Sequence, residues 1–248
     1  MHVRRRSHHP RLPRTRGGRC AERRRLQRGP AAGDELVVRV IAIDGPAGAG
    51  KSTIAKALAA RLHLEYLDTG AMYRAVTYAA MRRGLDLTDH AAVAELARDV
   101  DLEVDEHGVR VDGLEATAAI RTPEVTAAVS TVAANSGVRA EMRARQQAWA
   151  MVRDGGVIEG RDIGSVVFPD AELKLYLTAS PRTRAERRVA EAGGDVDEIE
   201  RAIAARDHYD SNRADSPLTD THGPVVVDTT GMGVDAVLDH ILQLLEQV

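Results

Sequence analysis

Hydrophobic residues alternate along most of the chain between short continuous runs and stripes of helical spacing. An apolar run covers residues 36–43, and Ile54, Leu58 and Leu62 then recur at four-residue intervals. Four later segments have strand-like patterns: residues 64–70, 156–164, 172–178 and 224–228. Helical patterns occupy residues 71–83, 124–134, 138–152 and 234–245. This order predicts an α/β fold with a five-stranded parallel sheet flanked by helices.

Residues 84–122 depart from this order. A helical segment around residues 91–97 is followed by two stretches that alternate apolar and polar residues, 100–104 and 109–111. Period-two alternation broken by turn residues predicts a small antiparallel β-hairpin. We therefore expect a separate subdomain here that is not part of the parallel sheet.

The link between the first strand and the first helix is rich in glycine. Gly45, Gly50, Lys51 and Ser52 match the pattern G-x-x-x-x-G-K-[ST] without a mismatch. Such a loop turns successive N–H groups toward phosphates, the lysine reaches the β- and γ-phosphates of a nucleotide, and the hydroxyl ligates Mg²⁺. A chance glycine-rich turn is the alternative, which the flanking strand and helix disfavour. The predicted contacts to the nucleotide are Gly45, Pro46, Ala47, Gly48, Ala49, Gly50, Lys51, Ser52 and Thr53.

Charged residues follow two of the predicted strands. Arg74 lies in the first turn of the helix after the second strand, and Arg161 and Asp162 form the tip of the strand over residues 156–164. Ligands of such sheets bind near the carboxyl ends of the strands, and arginine can contact a phosphate through two N–H groups. A solvated Arg74 and a structural ion pair at residues 161–162 are the alternatives.

Two predicted helices between the last strands each carry charged residues on one face. These residues are Arg184, Arg187 and Arg188, then Arg206, Asp210 and Arg213. One interpretation is a pair of solvated helices with i,i+4 ion pairs. The other is a mobile lid whose arginines close over a triphosphate, with Gly193 and Gly194 at its hinge or tip. Composition alone favours the solvated helices.

The N-terminal segment differs from the rest of the chain in charge. Residues 1–36 hold eleven arginines and three acidic residues, a balance of +8, whereas the whole chain carries −3. Because this segment is rich in proline and glycine and poor in apolar residues, it is predicted to be disordered. It is either a nucleic-acid-binding or targeting arm or a dispensable tail, and the lack of apolar periodicity favours the tail.

Bulk composition narrows the class of protein. The 248 residues are 44% hydrophobic and 29% charged, which is typical of a soluble globular chain. No apolar run is long enough to cross a bilayer, and an aromatic content of 3% disfavours a base-stacking single-strand binder. The only cysteine, Cys20, lies in the N-terminal segment, so a disulfide framework is not available. We expect a cytoplasmic protein without membrane contact.

From about residue 38 to the C terminus, the chain resembles the bacterial cytidylate kinases, a family of nucleoside monophosphate kinases with the P-loop fold. The resemblance rests on the phosphate loop and on further ordered segments: DTGAMYR at 68–74, IR at 120–121, EGRDIG at 159–164 with VVFPD at 166–170, and RDHYDSNR at 206–213. The phosphate loop alone leaves many families open. The ordered set is far more specific, and it implies phosphorylation of CMP and dCMP with ATP as donor and Mg²⁺ as cofactor.

The resemblance also implies roles for matching positions around the acceptor nucleotide. Those positions are Tyr73, Arg74, Ser130, Arg139, Arg161, Asp162, Arg206, Asp210 and Arg213. Arg74 and Arg161 are implied at the acceptor phosphate, with Arg206 approaching from the lid. Together with Lys51, these three arginines are the implied catalytic residues.

The remaining implied roles concern the base, the ribose and the donor. Four residues are implied around the cytosine: Ser130, Arg139, Asp162 and Arg213. Tyr73 is implied to pack against the nucleotide, Asp210 to bind the ribose hydroxyls and Arg187 to lie beside ATP. Cytosine offers acceptors at O2 and N3 and an amino donor at N4, so arginine, carboxylate and hydroxyl groups can read it.

The implied organisation is a disordered tail over residues 1–36 and a nucleoside monophosphate kinase domain over 37–248. The core of this domain covers 37–83 and 155–248, the acceptor-binding insert about 84–154, and the helical lid about 182–215. We expect small nucleotides as partners, no specific nucleic acid and a monomer. Three alternatives stay open: a P-loop kinase of UMP or a hydroxy acid, a nucleic-acid-associated ATPase that uses the basic segment, and a non-catalytic nucleotide sensor.

Overall fold

The computed structural model describes residues 38–105, 107–212 and 223–247. The strands in these ranges are β1 (Arg39–Asp44), β2 (Tyr66–Asp68), β3 (Leu102–Asp105), β4 (Gly108–Val111), β5 (Leu114–Glu115), β6 (Gly155–Glu159), β7 (Leu173–Thr178) and β8 (Val225–Asp228). Five of them form one sheet in the order β2-β6-β1-β7-β8, in which every neighbouring pair is parallel. The predicted fold class is confirmed.

Helices connect these strands. In the described ranges they are α1 (Lys51–Leu62), α2 (Thr69–Arg82), α3 (His90–Asp99), α4 (Pro123–Ala133), α5 (Ser136–Val152), α6 (Pro181–Ala192), α7 (Val196–Asn212) and α8 (Val234–Leu245). Helix α2 begins two residues earlier than its apolar pattern predicts, because the Asp68 carboxylate caps it by accepting the Ala71 N–H at 2.9 Å.

The central strand β1 separates two layers of the core. Alternate residues of a strand point to opposite faces. Val40 and Ala42 pack into one hydrophobic cluster with side chains of α2, α3 and α5. Ile41 and Ile43 pack into another with side chains of α1 and α8. Burial on both faces explains why β1 reads as a continuous apolar run rather than as an alternating strand.

The predicted antiparallel hairpin is present as β3 and β4, outside the parallel sheet. A third strand, β5, pairs with β4 and was not predicted. It contains only Leu114 and Glu115, both exposed, so it has no alternation to detect. The insert also holds a 3₁₀ turn at Ala119–Arg121 and helices α3 to α5.

The chain continues after β6 in an irregular turn that the sequence pattern does not predict. A π-helical turn covers Ile163–Val167. The Asp44 carboxylate at the end of β1 accepts hydrogen bonds from the Ile163 and Gly164 N–H groups, both at 2.8 Å. The predicted strand over residues 156–164 therefore ends at Glu159, and the segment after it is fixed to β1 by a side chain.

The chain divides into two units, Met1–Val37 and Val38–Val248. The predictions for residues 1–36, and for the part of the predicted lid at 213–215, lie outside the described residues. Among the helices that are described, none combines the length and apolar character needed to span a bilayer.

Candidate active site

The phosphate loop leaves the carboxyl end of β1 and enters α1 at Lys51. Two positions in it require glycine. Gly45 has a φ of 142°, and a Cβ there would lie 2.0 Å from the Leu177 carbonyl oxygen of β7. Gly48 has a φ of 78°, and a Cβ there would lie 3.0 Å from the Arg184 Cβ. Both the backbone conformation and the close approach of neighbouring elements therefore exclude a side chain.

Cationic side chains hold four of the loop carbonyls. The donor and acceptor pairs are Arg161 to Gly45 at 3.0 Å, Lys51 to Pro46 at 2.9 Å, Arg184 to Ala47 at 3.1 Å and Arg187 to Ala49 at 3.3 Å. In a trans peptide unit the carbonyl and the following N–H point in opposite directions. Three of these carbonyls, those of Pro46, Ala47 and Ala49, are followed by a residue with an N–H group. Fixing them toward the cations turns those N–H groups away from the cations, which suits an anion cradle.

A cavity of about 180 Å³ lies on one side of the loop. It is bounded by the loop, the start of α2, the end of β6, and helices α4, α5 and α7. Predicted acceptor and catalytic residues that line it are Lys51, Tyr73, Arg74, Ser130, Arg139, Arg161, Asp162 and Arg206. The fold thus brings these residues together from segments that are far apart in sequence. We call this space the acceptor cavity.

The structure does not describe the side chains of two predicted acceptor residues, Asp210 and Arg213. The backbone of Asp210 lies in α7, but its side chain is outside the described part of the structure, as is all of Arg213. Their implied contacts to ribose and cytosine stay predictions.

The polar wall of the acceptor cavity contains a buried ion pair. Arg139 of α5 donates to the Asp162 carboxylate, and both side chains are less than a tenth exposed. The Arg139 guanidinium also lies 5.9 Å from the centre of the Tyr73 ring. A buried, paired guanidinium has little freedom to reorient, so the wall presents fixed donors and acceptors to a ligand.

The opposite wall of the acceptor cavity is rich in positive charge. Arg74 is partly buried and donates to the Thr126 hydroxyl at 2.8 Å and the Ile120 carbonyl at 3.3 Å, so the solvated alternative for Arg74 is wrong. Burial, followed by the positive charges of Arg206, Arg121 and Arg188, lowers the pKa of Arg74 to about 10. Like charges held this close oppose one another until an anion compensates them.

Lys51 lies between the positive wall and a group of acids at the ends of β1 and β6. Burial, followed by the charge of Arg161, lowers the pKa of Lys51 to about 7. Burial and the nearby Asp68 raise the pKa of Glu159, whose carboxylate accepts a hydrogen bond from the Tyr66 hydroxyl. A triphosphate beside Lys51 would compensate the positive charge of the lysine, as an anion in the acceptor cavity would compensate the arginines.

Sequence reasoning missed several residues of this site. Glu159 and Arg121 belong to segments used for the family resemblance, but neither was assigned a role. Both line the acceptor cavity, as does Arg188. A charged residue at the end of a buried strand was the available signal for Glu159. Nothing comparable marks Arg121, which forms an ion pair with Asp68 at 3.1 Å.

A second cavity of about 430 Å³ lies on the other side of the loop. We call it the donor cavity. Its polar edge includes Arg187, which donates to the Thr229 carbonyl at 2.8 Å and the Thr229 hydroxyl at 3.0 Å. Its apolar wall comes from the start of α8 and the turn before it: Met232, Gly233, Val234 and Val237. Lys51, Ser52, Gly48 and Arg188 line both cavities.

Helices α6 and α7 only partly match the predicted solvated helices. Arg182 is exposed and pairs with Asp197 and Glu200 across the two helices. Arg184, however, is 6% exposed and donates to Ala47 of the loop and to Asp207 of α7. The solvated interpretation is wrong for Arg184 because this guanidinium fills the space between the loop and α7.

Oxygen donors suitable for Mg²⁺ lie beside the loop. Ser52 lines the acceptor cavity together with the acidic residues Asp68 and Glu159. Hydroxyl and carboxylate oxygens are the protein ligands that Mg²⁺ prefers. The residues present therefore fit a magnesium ion that is bound together with a nucleotide.

A strand, a glycine loop and a helix that begins with Lys51 and Ser52, next to a cavity lined by several arginines, define this protein as a P-loop kinase. The family model described as cytidylate kinase matches residues 41–247. The chain belongs to the cytidylate kinase family, so the resemblance inferred from the ordered motifs is confirmed.

Relatives support the same assignment over most of the chain. A cytidylate kinase from Desulfitobacterium hafniense (strain Y51) is 47% identical over 212 residues, which cover 82% of this chain and 91% of that protein. A bifunctional pantoate ligase/cytidylate kinase from Parasynechococcus marenigrum (strain WH8102) is 47% identical over 215 residues, which cover 82% of this chain but 43% of that protein. This chain thus spans less than half the length of the bifunctional relative.

A solved structure shares the fold at low sequence identity. An uncharacterized protein from Eubacterium ventriosum ATCC 27560 has a TM-score of 0.52 and 14% identity, with 85% of this chain and 99% of that chain covered. At this identity the likeness concerns the fold alone.

Proposed function

We propose that this protein transfers the γ-phosphoryl group of ATP to CMP and dCMP, forming CDP and dCDP. The observation that carries the proposal is the wall common to the two cavities. Gly48, Lys51, Ser52 and Arg188 line both of them. A donor triphosphate and an acceptor phosphate bound in these cavities would meet at this wall.

For the acceptor, we propose that Arg74 and Arg161 bind the phosphate, with Arg206 completing the contact from α7. Burial and then repulsion from neighbouring arginines lower the pKa of Arg74, and the repulsion supports this role because a dianionic phosphate would relieve it. The buried Arg139–Asp162 pair and Ser130 line the same cavity and are proposed to read the cytosine. Arginine can donate to O2 and N3, while a carboxylate or hydroxyl can accept from N4.

For the donor, we propose that the base of ATP lies against the apolar wall at the start of α8, with Arg187 beside it. The loop N–H groups then bind the phosphates, and Lys51 transfers its hydrogen bond from the Pro46 carbonyl to a phosphate oxygen. Helix α1 begins at Lys51, so the positive end of its dipole also points at this site.

The proposed reaction is an in-line displacement. An oxygen of the CMP phosphate attacks the γ-phosphorus, the bond from that phosphorus to the bridging oxygen breaks, and ADP leaves with the electron pair. The attacking oxygen is already anionic, so no strong base is needed. Lys51, Arg188 and the acceptor arginines neutralise the charge on the transferred group and hold it in line. Mg²⁺, held through Ser52, would neutralise part of the triphosphate charge.

Further aspects of the proposal concern setting and assembly. We propose that the protein acts in the cytoplasm as a monomer, with small nucleotides as its ligands and no nucleic-acid partner. The chain has a single cysteine, Cys20, so no disulfide can form within it, which suits a reducing compartment.

The decisive experiment is an acceptor panel. Purified protein with ATP and Mg²⁺ is given CMP, dCMP, UMP, AMP, GMP and a set of hydroxy acids, and ADP release is measured for each. We expect CMP and dCMP to react fastest, since uracil reverses the hydrogen-bond polarity at N3 and at position 4. Faster reaction with AMP, GMP or a hydroxy acid would contradict the substrate assignment. ATP hydrolysis stimulated by RNA, with no acceptor phosphorylated, would instead favour a nucleic-acid-associated ATPase.

A further inference from the structure

Arg184 joins three parts of the protein through one side chain. Its Nε donates to the Ala179 carbonyl, which follows β7, at 3.0 Å. Its Nη1 donates to the Ala47 carbonyl of the phosphate loop at 3.1 Å and to Asp207 Oδ2 of α7 at 2.5 Å. The Arg184 guanidinium thus connects the end of β7, the phosphate loop and helix α7, which also carries Arg206.

Helix α7 has two different faces at this point. Arg206 lines the acceptor cavity, whereas Asp207 is absent from the described lining of both cavities and faces Arg184. Consecutive helical residues point about 100° apart, so one helix can offer Arg206 to a substrate and Asp207 to the loop at the same time. Any displacement of α7 moves both side chains together.

The side chains of Arg184 and Asp207 are 7% and 20% exposed, so their contact is buried on the arginine side and partly shielded on the carboxylate side. Asp207 is the ion-pair partner of Arg184 across the two helices. Asp207 Oδ1 is also buried, and it has no hydrogen-bond partner within the described residues. A buried guanidinium deprived of its counter-ion is strongly disfavoured, so Arg184 should leave its place when Asp207 is neutralised or moved.

Arg184 also determines how the loop faces a nucleotide. Its bond to the Ala47 carbonyl directs the Gly48 N–H away from Arg184, because the two groups of one trans peptide unit are opposed. The Gly48 backbone rests on Arg184, and Gly48 lines both cavities. Loss of Arg184 from this position would release a phosphate-binding N–H from its fixed orientation.

We infer that Arg184 and Asp207 form a positioning pair that couples the placement of α7 to the conformation of the phosphate loop. The acceptor side and the donor side then reach their working geometry together, although neither residue is assigned a contact with substrate. This inference rests on the proposed function for the identity of the two cavities. It predicts that a change in α7, away from both cavities, weakens ATP binding.

The test uses the full-length protein with Asp207→Asn, which keeps the side-chain shape but removes the charge facing Arg184. We expect the affinity for a fluorescent, non-hydrolysable ATP analogue to fall about ten-fold and the KM for CMP to rise by a similar factor. Arg182→Gln is the matched control. It breaks the exposed ion pairs between the same two helices without touching the loop, and both constants should stay within about two-fold of the wild type.

A second variant, Arg184→Lys, keeps the inference testable if Asp207→Asn does not fold. Arg184→Lys keeps the positive charge but cannot reach all three acceptors, so it should weaken binding of the analogue as well. In the double variant the two losses should not add, since each removes the same coupling. Folding of every variant is checked by circular dichroism and thermal melting.

Three results would overturn the inference: unchanged analogue affinity in folded Asp207→Asn or Arg184→Lys, an equal loss in Arg182→Gln, or additive losses in the double variant. The analogue affinity is measured without any acceptor. A wild-type protein that fails to phosphorylate CMP would therefore refute the proposed function, while the inference about the pair would still be tested by nucleotide binding.

Discussion

At the scale of single residues, Asp44 links the start of the phosphate loop to the acceptor cavity. It ends β1, is 6% exposed, and accepts the N–H groups of Ile163 and Gly164. These two residues follow Arg161 and Asp162 directly in the chain. The Asp44 carboxylate therefore helps to position Arg161 and Asp162, which line the acceptor cavity. Burial raises the pKa of Asp44 to about 6, against the lowering effect of the two hydrogen bonds.

The raised pKa of Asp44 predicts a pH dependence of stability. In the folded protein the Asp44 carboxyl group stays protonated up to about pH 6, whereas its ordinary pKa is 3.8. The stability that the group contributes is therefore fully present below pH 3.8 and is lost as the pH rises through about 6. Because one pKa unit corresponds to about 1.4 kcal/mol, the loss should not exceed about 3 kcal/mol.

Asp44→Asn isolates this effect because the amide does not titrate. Its NH₂ group faces a backbone N–H, which costs about 1–3 kcal/mol at every pH. We expect the free energy of unfolding of the wild type, minus that of the variant, to decrease between pH 4 and pH 7 in urea titrations. A difference that stays constant over this range would show that Asp44 titrates normally in the folded protein.

At the scale of elements, the position of the phosphate loop depends on its contact with β7. The Gly45 Cα approaches the Leu177 backbone so closely that an added Cβ would lie 2.0 Å from the carbonyl oxygen. β7 pairs with β1 in parallel over residues 41–44, so it cannot move aside without breaking that pairing. The start of the loop is therefore fixed by the sheet as well as by its own glycines.

Gly45→Ala should consequently destabilise the fold by about 3 kcal/mol or more, since neither the backbone nor β7 can relax. Gly84→Ala is the control. Gly84 also has a positive φ, 66°, but an added Cβ would meet nothing within 4 Å. Only the backbone strain of about 1–2 kcal/mol remains at that position. Urea unfolding of the two variants measures the difference, and equal losses would mean that the contact with β7 is unimportant.

At the scale of the whole molecule, the residues that the structure describes after Val37 supply a hydrophobic core and line both cavities. The buried hydrophobic residues range from Val40 to Ile241, and the cavity linings begin at Ala47 and Gly48. Residues 1–36 carry a balance of +8 and little that could be buried. Their charge could assist binding of a polyanion, but the proposed reaction does not require it.

A chain that begins at Leu36 should therefore melt at the same temperature as the full-length protein. Its turnover with CMP should stay within about two-fold of the full-length value, which corresponds to about 0.4 kcal/mol. Steady-state assays and thermal melting of the two chains provide the comparison, at low and at physiological salt. A large loss of turnover on truncation would show that the basic segment is a functional arm. RNA-stimulated ATP hydrolysis confined to the full-length chain would point in the same direction.

Much of this protein could be predicted from local sequence patterns. The parallel sheet, the separate antiparallel hairpin and the phosphate loop all have signals within a few residues, such as hydrophobic period or glycine spacing. The ordered motifs also indicated the correct family. Element ends were less predictable, because Asp68 and Asp44 set them through side-chain hydrogen bonds that hydrophobic patterns do not register.

Only the tertiary structure decided how the charged residues of the site are buried and paired. By itself the sequence determined the residue types and the order of the elements, because both depend on neighbours along the chain. Arg139 meets Asp162 and Arg184 meets Asp207 across 23 residues in each case, and Arg184 meets the Ala47 carbonyl across 137. Composition alone favoured a solvated Arg184, whereas packing against the phosphate loop buries this side chain. The energy of a charge depends on burial and on partners distant in sequence, and folding alone supplies both.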